Sequence, residues 1–315
     1  MASKNKPCEW TTQEQAFAGF AGFTEKTQSA GHIRPLHWYV ACRLVVEGGF
    51  DPDDIKPRPP FRIGSQRAGL PLLEFEEKSA GGGEATVLGG LKTKNVDVVV
   101  TRHGIGPALA VSCKGTTGAF RNLTNRMEEL IGDCTNLHIS YPTLVLGYIH
   151  LLRANRRVGE VVDVIEAGED DGVEDAEPLE ETSRRQLSEN DMAFDANGEV
   201  TSGIKRFEIA VSRLAGRSGI RDDLTRYESI GLALIEAEQS HLGELVENYP
   251  DRSSGLNIDG FFDRLYGQYD ERFVYGAPKL ERVTRRLAWS PESPALKILT
   301  PDYPSRTGTP RGGVV

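Results

Sequence analysis

The chain has 315 residues, 38% of them hydrophobic, and a formal net charge of −9. That length suffices for one large core or a core with an appended region, and no apolar run approaches the ~18 residues of a membrane-spanning helix. The four cysteines, Cys8, Cys42, Cys113 and Cys134, show no C-x-x-C spacing, which argues against zinc and a disulfide framework and fits a reducing cytoplasm. No apolar segment follows Met1 to Lys6, so no conventional signal peptide is expected, and the predicted location is cytoplasmic. Eleven acidic residues and no Lys or Arg fall between Glu160 and Glu181; without them the net charge moves from −9 to +2. The acidic excess is therefore local. It reads as a solvated loop insertion at about 158–200.

In chain order, Thr11, Thr12, Gln13 and Glu14 form a capping box ahead of Phe17, Phe20 and Phe23 at helical spacing. Residues 31–47 carry Leu36, Tyr39, Val40 and Leu44 in a helical pattern stopped by Gly48 and Gly49. Residues 56–60 are an extended linker, 72–76 a strand, and Gly81–Gly83 and Gly89–Gly90 loops. Glu84 follows the first glycine run without the Lys-Ser/Thr of a triphosphate-binding loop. Residues 96–101 and 108–113 read as two buried strands joined by a turn, hence a hairpin. A helix over 122–137, a buried strand over 142–152, a helix over 204–214 and a strand over 229–235 follow. The expected architecture is α/β, a mixed central sheet flanked by helices, with a core over 1–245. Residues 246–315 read as a turn-rich accessory region for DNA contact or dimerisation, with a basic patch at Lys279, Arg282, Arg285 and Arg286.

The chemistry-bearing residues collect at the hairpin. Alternation along a strand puts Ser112 and Lys114 on one face and Cys113 on the other. If Asp97 lies on the face of Lys114, a carboxylate and an ammonium stand side by side at the sheet edge, within reach of a second carboxylate from the next segment. Hard oxygen ligands of this kind hold Mg²⁺ at a phosphodiester, and a nearby Lys stabilises charge developing there. The six histidines contain no HxH or HxxxH pair, which argues against a histidine-held metal. The polar run after the strand offers Thr116, Thr117, Arg121, Asn122, Asn125 and Arg126 to phosphates and base edges. Capping of the helix, or an Arg126 pair with Glu128 or Glu129, would occupy some of the same groups.

The spacing Asp97-x14-Ser112-x-Lys114 resembles the PD-(D/E)XK nuclease signature, with Val96 for the usual Pro and Ser112 where an acid normally stands. Some type II restriction endonucleases of that superfamily have Ser there and recover the carboxylate from a Glu on the next helix, with thirteen residues between the Lys and that Glu. Glu128 has that spacing from Lys114, and Glu129 is the alternative. Gly118 stands where the CCGG-reading members carry an Arg, so that specificity is not expected. The resemblance, which covers about residues 90–150, implies an Mg²⁺-dependent endonuclease (Mn²⁺ substituting) acting as a homodimer on double-stranded DNA. It implies Asp97, Ser112, Lys114 and Glu128 in the active site, with metal ligands from Asp97, Glu128 and the Cys113 carbonyl. The dimer interface is expected from residues 31–47 or from the C-terminal third. A catalytically silent DNA-binding or assembly protein, and a repair or structure-specific nuclease, remain as alternatives.

Overall fold

Strand-forming runs rich in Val, Leu and Ile alternate along the chain with helical periods, and the elements they form appear in that order. The structure is a computed structural model describing residues 11–23, 30–156 and 189–309. Cys8 and the acidic segment 160–181 lie outside the described residues. The elements run α1 (Gln13–Ala21), α2 (Arg34–Val46), β1 (Ile55–Lys56), β2 (Phe61–Arg67), β3 (Leu70–Phe75), β4 (Ala85–Leu88), β5 (Thr93–Val96) and β6 (Val98–Arg102). They continue with β7 (Gly106–Thr116), α3 (Leu123–Ser140), β8 (Val145–Ala154), α4 (Ser202–Ser212), β9 (Ser229–Glu236), α5 (Phe261–Tyr269), α6 (Glu281–Thr284) and α7 (Pro294–Leu299).

The central sheet is mixed and five-stranded, in the order β1-β6-β7-β8-β9. β6 and β7 form the expected antiparallel hairpin, with Val98 opposite Val111 and Val100 opposite Leu109. β7, β8 and β9 are parallel. Two successive right-handed crossovers in one direction put their helices on one face, and α3 and α4 do share a face, over Ala110, Leu146, Tyr148, Leu152 and Leu232. The opposite face, through Val98, Leu109, Val111, Cys113 and Ile149, is covered by α1, α2 and α5. Two small antiparallel hairpins, β2–β3 and β4–β5, stand outside the main sheet. The linker expected at 56–60 begins with Lys56 of β1, which pairs against Val99 at the sheet edge.

α1 begins with the predicted capping box: Thr12 Oγ1 accepts from the Gln15 N–H, and the Gln15 side chain reaches back to the cap backbone. α2 is apolar nearly all round, and every residue from Pro35 to Val46 is buried. That enclosure leaves Arg34 as the one exposed residue between 31 and 47.

Residues 246–315, expected to be a turn-rich accessory region, carry α5, α6 and α7. Phe261, Phe262, Leu265, Tyr266 and Tyr269 of α5, followed by a π-helical turn over Asp270–Tyr275, join the same apolar cluster as α2 and the sheet. Glycines admit α5 to the sheet. A Cβ on Gly147 would sit 2.7 Å from Phe261 Cζ, and one on Gly231 2.6 Å from Ile258 Cδ1. Trp289 is fully buried and donates from Nε1 to the Val45 carbonyl at 2.8 Å, stitching the C-terminal residues to α2. The basic patch also divides. Lys279, Arg282 and Arg285 are exposed, whereas Arg286 is buried and paired with Asp270.

One buried ion network locks the sheet to the C-terminal region. Glu228, 2% exposed beside β9, accepts from the Leu146 N–H at 2.7 Å, Arg217 Nη1 at 2.7 Å and Arg272 Nη1 at 2.8 Å. Burial alone would raise its pKa; the His138 and Arg272 interactions outweigh that and hold it below the usual carboxylate range.

Candidate active site

Asp97 occupies the one-residue break between β5 and β6. Val98 pairs with Val111, so one step further along the antiparallel ladder Asp97 stands opposite Ser112. It is 5% exposed, and its Oδ2 accepts a hydrogen bond from the Cys113 N–H at 2.7 Å. The N–H and C=O of a strand residue share an edge, so the Cys113 carbonyl turns toward the same side of β7 as this bond. Ser112 is buried and Lys114 half-buried on the face covered by α3.

Lys114 finds its partner on α3. Its Nζ lies 3.5 Å from Glu129 Oε1, and Arg126 Nη1 holds the other oxygen of Glu129 at 2.8 Å. Glu128, the residue that spacing favoured, is exposed. Successive helix residues differ by about 100° in direction, and that rotation turns Glu129 toward β7 and Glu128 toward solvent. The carboxylate brought to Lys114 is therefore that of Glu129.

The electrostatics of the group are coupled. Burial raises the Asp97 pKa against the opposing pull of Lys114 and the Cys113 N–H. Burial works against the Lys114 ammonium, but Asp97 and Glu129 outweigh it and hold its pKa above the ordinary lysine value. Glu129 is shifted down despite burial, by Lys114 and by its bond from Arg126. At neutral pH Lys114 is therefore a charged ammonium between two carboxyl groups.

Two residues that sequence reasoning did not assign complete the cluster. His37, on α2, places Nε2 3.6 Å from Asp97 Oδ1, and Glu84, exposed just before β4, joins them. One ligand atom from each of His37, Glu84 and Asp97 lies within 4.8 Å of the other two. Burial lowers the His37 pKa to about 4, against an opposing pull from Glu84, so the ring is neutral at pH 7. The contact with Asp97 is therefore not an ion pair, and His37 Nε2 is buried with no hydrogen-bond partner. Ligands on opposite sides of one divalent ion at about 2.1 Å stand about 4.2 Å apart, so a small movement of the exposed Glu84 suffices for all three to meet one cation. The donor set fits a divalent metal. The lack of a His pair in the sequence does not bear on this cluster, because His37 meets carboxylates distant along the chain.

The polar run after β7 is dispersed. Thr116 Oγ1 lies 2.9 Å from His150 Nε2, and Tyr148 Oη 2.8 Å from His150 Nδ1, a buried chain in which burial drops the His150 pKa to about 3. The Thr117 carbonyl accepts from Asn155 Nδ2, while the Asn122 side chain caps nothing at the start of α3. Asn125 and Arg126 are exposed, with Arg126 tied to Glu129. Arg121 is exposed and lines a cleft of about 600 Å³ between α3 and α4, together with Phe120, Thr124, Met127, Arg206 and Phe207.

Compared with protein-family models, curated proteins and solved structures, the chain matches none. Among the described residues no helix is long and apolar enough to cross a membrane.

Proposed function

We propose that this protein is a divalent-metal-dependent endonuclease that hydrolyses DNA phosphodiester bonds, of the restriction or defence type, acting as a homodimer on duplex DNA. The observation that carries this reading is the meeting of Asp97, Lys114 and Glu129 near the C-terminal end of β7, beside a buried ring nitrogen that lacks a partner. The hairpin that holds Asp97 and Lys114, and the helix that follows it, are the elements on which the PD-(D/E)XK resemblance rests.

Asp97 and Glu84 are the oxygen donors for the metal, with the Cys113 carbonyl on the adjoining edge and His37 beside them. A bound Mg²⁺ or Mn²⁺ supplies Lewis-acid stabilisation of phosphate charge and acidifies an attacking water. Lys114 sets a fixed positive charge where the pentavalent phosphate gains negative charge, in a half-buried site where that charge is weakly screened. Glu129 and Arg126 hold the Lys114 side chain in one direction, so its role is positioning. Ser112 is buried on the same face of β7 as Lys114 and is not assigned to the metal. Arg121, exposed and lining the cleft between α3 and α4, and Asn122 supply DNA contacts.

The test is cleavage of plasmid and phage DNA with Mg²⁺ or Mn²⁺, with EDTA as control, and sequencing of the product ends. Metal-dependent cutting that disappears in Asp97→Ala is the expected result. Cleavage by Asp97→Ala at the wild-type rate would overturn the assignment. DNA binding without cutting by the wild-type protein would favour the silent scaffold.

A further inference from the structure

We infer that His37 is a metal ligand, and that its imidazole nitrogen makes the Asp97 site prefer Mn²⁺ over Mg²⁺. The inference deepens the proposed function and rests on it at one point, that Asp97 holds the metal.

A buried ring nitrogen without a hydrogen bond is unfavourable, and folded proteins rarely leave one without a reason. His37 is 6% exposed, and the nearest carboxylate oxygen, on Asp97, lies 3.6 Å from Nε2, beyond hydrogen-bonding distance. Nε2 and that oxygen face each other across a gap that a Glu84 oxygen also borders. A cation in the gap satisfies all three groups at once. No rearrangement of α2 is needed, because its neighbours along the helix are buried on every side and fix the ring in place. Asp97 is likewise fixed, by the Cys113 N–H. Glu84 alone is exposed and free to close on the ion.

The donor set decides the metal. Mg²⁺ favours an all-oxygen octahedron and sheds water reluctantly. Imidazole is a softer donor that suits transition ions, and carboxylates suit Mn²⁺ as well as Mg²⁺. One nitrogen with two carboxylates therefore selects Mn²⁺ of the two. The all-oxygen set drawn from the sequence, Asp97, Glu128 and the Cys113 carbonyl, contains no such discrimination.

The experiment uses the full chain, stripped with EDTA and free of DNA, so that cleavage does not enter. Mn²⁺ is titrated by the EPR signal of the free ion, Mg²⁺ by competition, and the bound Mn²⁺ is examined by electron spin-echo envelope modulation. Wild type is expected to bind Mn²⁺ at least about tenfold more tightly than Mg²⁺ and to show ¹⁴N modulation from the coordinated ring. His37→Leu, checked for folding by circular dichroism, is expected to lose the modulation and about tenfold or more of its Mn²⁺ affinity, with Mg²⁺ affinity changed less. Bound Mn²⁺ without ¹⁴N modulation in the wild-type protein, a measurement that needs no variant, overturns the inference. So does a folded His37→Leu protein that binds Mn²⁺ as wild type does. Asp97→Asn separates the two levels. If it binds Mn²⁺ normally, the assignment of Asp97 as a ligand fails; if it loses Mn²⁺ while His37→Leu keeps it, only the role of His37 fails.

Discussion

Replacing Asp97 with Asn is expected to stabilise the metal-free protein while ending its activity. Asn keeps an oxygen for the Cys113 N–H, now 2.7 Å from Asp97 Oδ2, and turns an amide N–H toward His37 Nε2, which has no partner. One new buried hydrogen bond contributes about 1 kcal/mol, and a carboxyl group whose charged form is disfavoured by burial leaves its position. Lys114 loses one attraction and keeps another, to Glu129. The net expectation is a gain of about 1–2 kcal/mol at pH 7. The pH dependence follows from the raised folded pKa of Asp97. A group of this kind adds stability below its unfolded value and loses it as pH rises through the folded value. Wild type therefore recovers on acidification, and the gap between the two proteins closes toward the unfolded carboxylate pKa. Urea denaturation in EDTA at several pH values measures it. Saturating Mn²⁺ reverses the order, because only the wild type gains binding free energy. A loss of more than about 1 kcal/mol at pH 7 without metal would show that attraction to Lys114 outweighs burial, and the reasoning would be wrong.

Lys114→Ala is expected to lower the single-turnover cleavage rate by about 10²–10³-fold with DNA affinity largely kept, and Ser112→Ala to leave the rate within a few-fold; a dead Ser112→Ala protein would return the acid-position residue to the mechanism. Glu129→Gln loosens Lys114 and is expected to cost about tenfold in rate, with Glu128→Ala neutral; the reverse pattern would restore Glu128 as the functional carboxylate. Glu228→Gln leaves Arg217 buried without its charge partner and the Leu146 N–H facing an amide, a loss of about 3–5 kcal/mol in denaturant titration. Because the Glu228 pKa is lowered in the folded state, its contribution is present above the unfolded glutamate value and is lost as pH falls through the folded one, so wild type and Glu228→Gln converge in acid. Arg121→Ala is expected to weaken binding to the cleavage site by about 1–3 kcal/mol in a gel-shift titration; equal losses on random DNA would make it a phosphate contact.

The β6–β7 hairpin was legible because a buried strand pair writes itself in apolar runs broken by glycine and proline, and the parallel strands β8 and β9 were legible for the same reason. The mixed sheet followed from the alternation of these strands with helical segments. Glu129 was harder to place than Glu128, since a spacing carried over from other proteins fixes a helix position only to within a residue, and one residue is more than a quarter of a turn. His37 lies in a helix that is apolar on every side, so no polar stripe marks which neighbour it meets. Glu84 sits in an exposed segment after three glycines and has no periodicity at all. α5 did carry a helical pattern, in Phe261, Phe262, Leu265, Tyr266 and Tyr269. The glycines, serines and asparagines just before it hid that pattern within a stretch that read as turns.

The seating of α2 against the C-terminal residues sets an order of events during synthesis. Tyr266 donates to the Arg43 carbonyl and Trp289 to the Val45 carbonyl, while Tyr303 reaches back to the Thr11 carbonyl. α2 therefore lacks one of its walls until residues 261–303 have left the ribosome. His37, Asp97 and Lys114 are made early, yet the helix that aims His37 at Asp97 is held only when the last part of the core arrives. A half-made chain of this protein therefore carries His37, Asp97 and Lys114 without the packing that sets α2 in place.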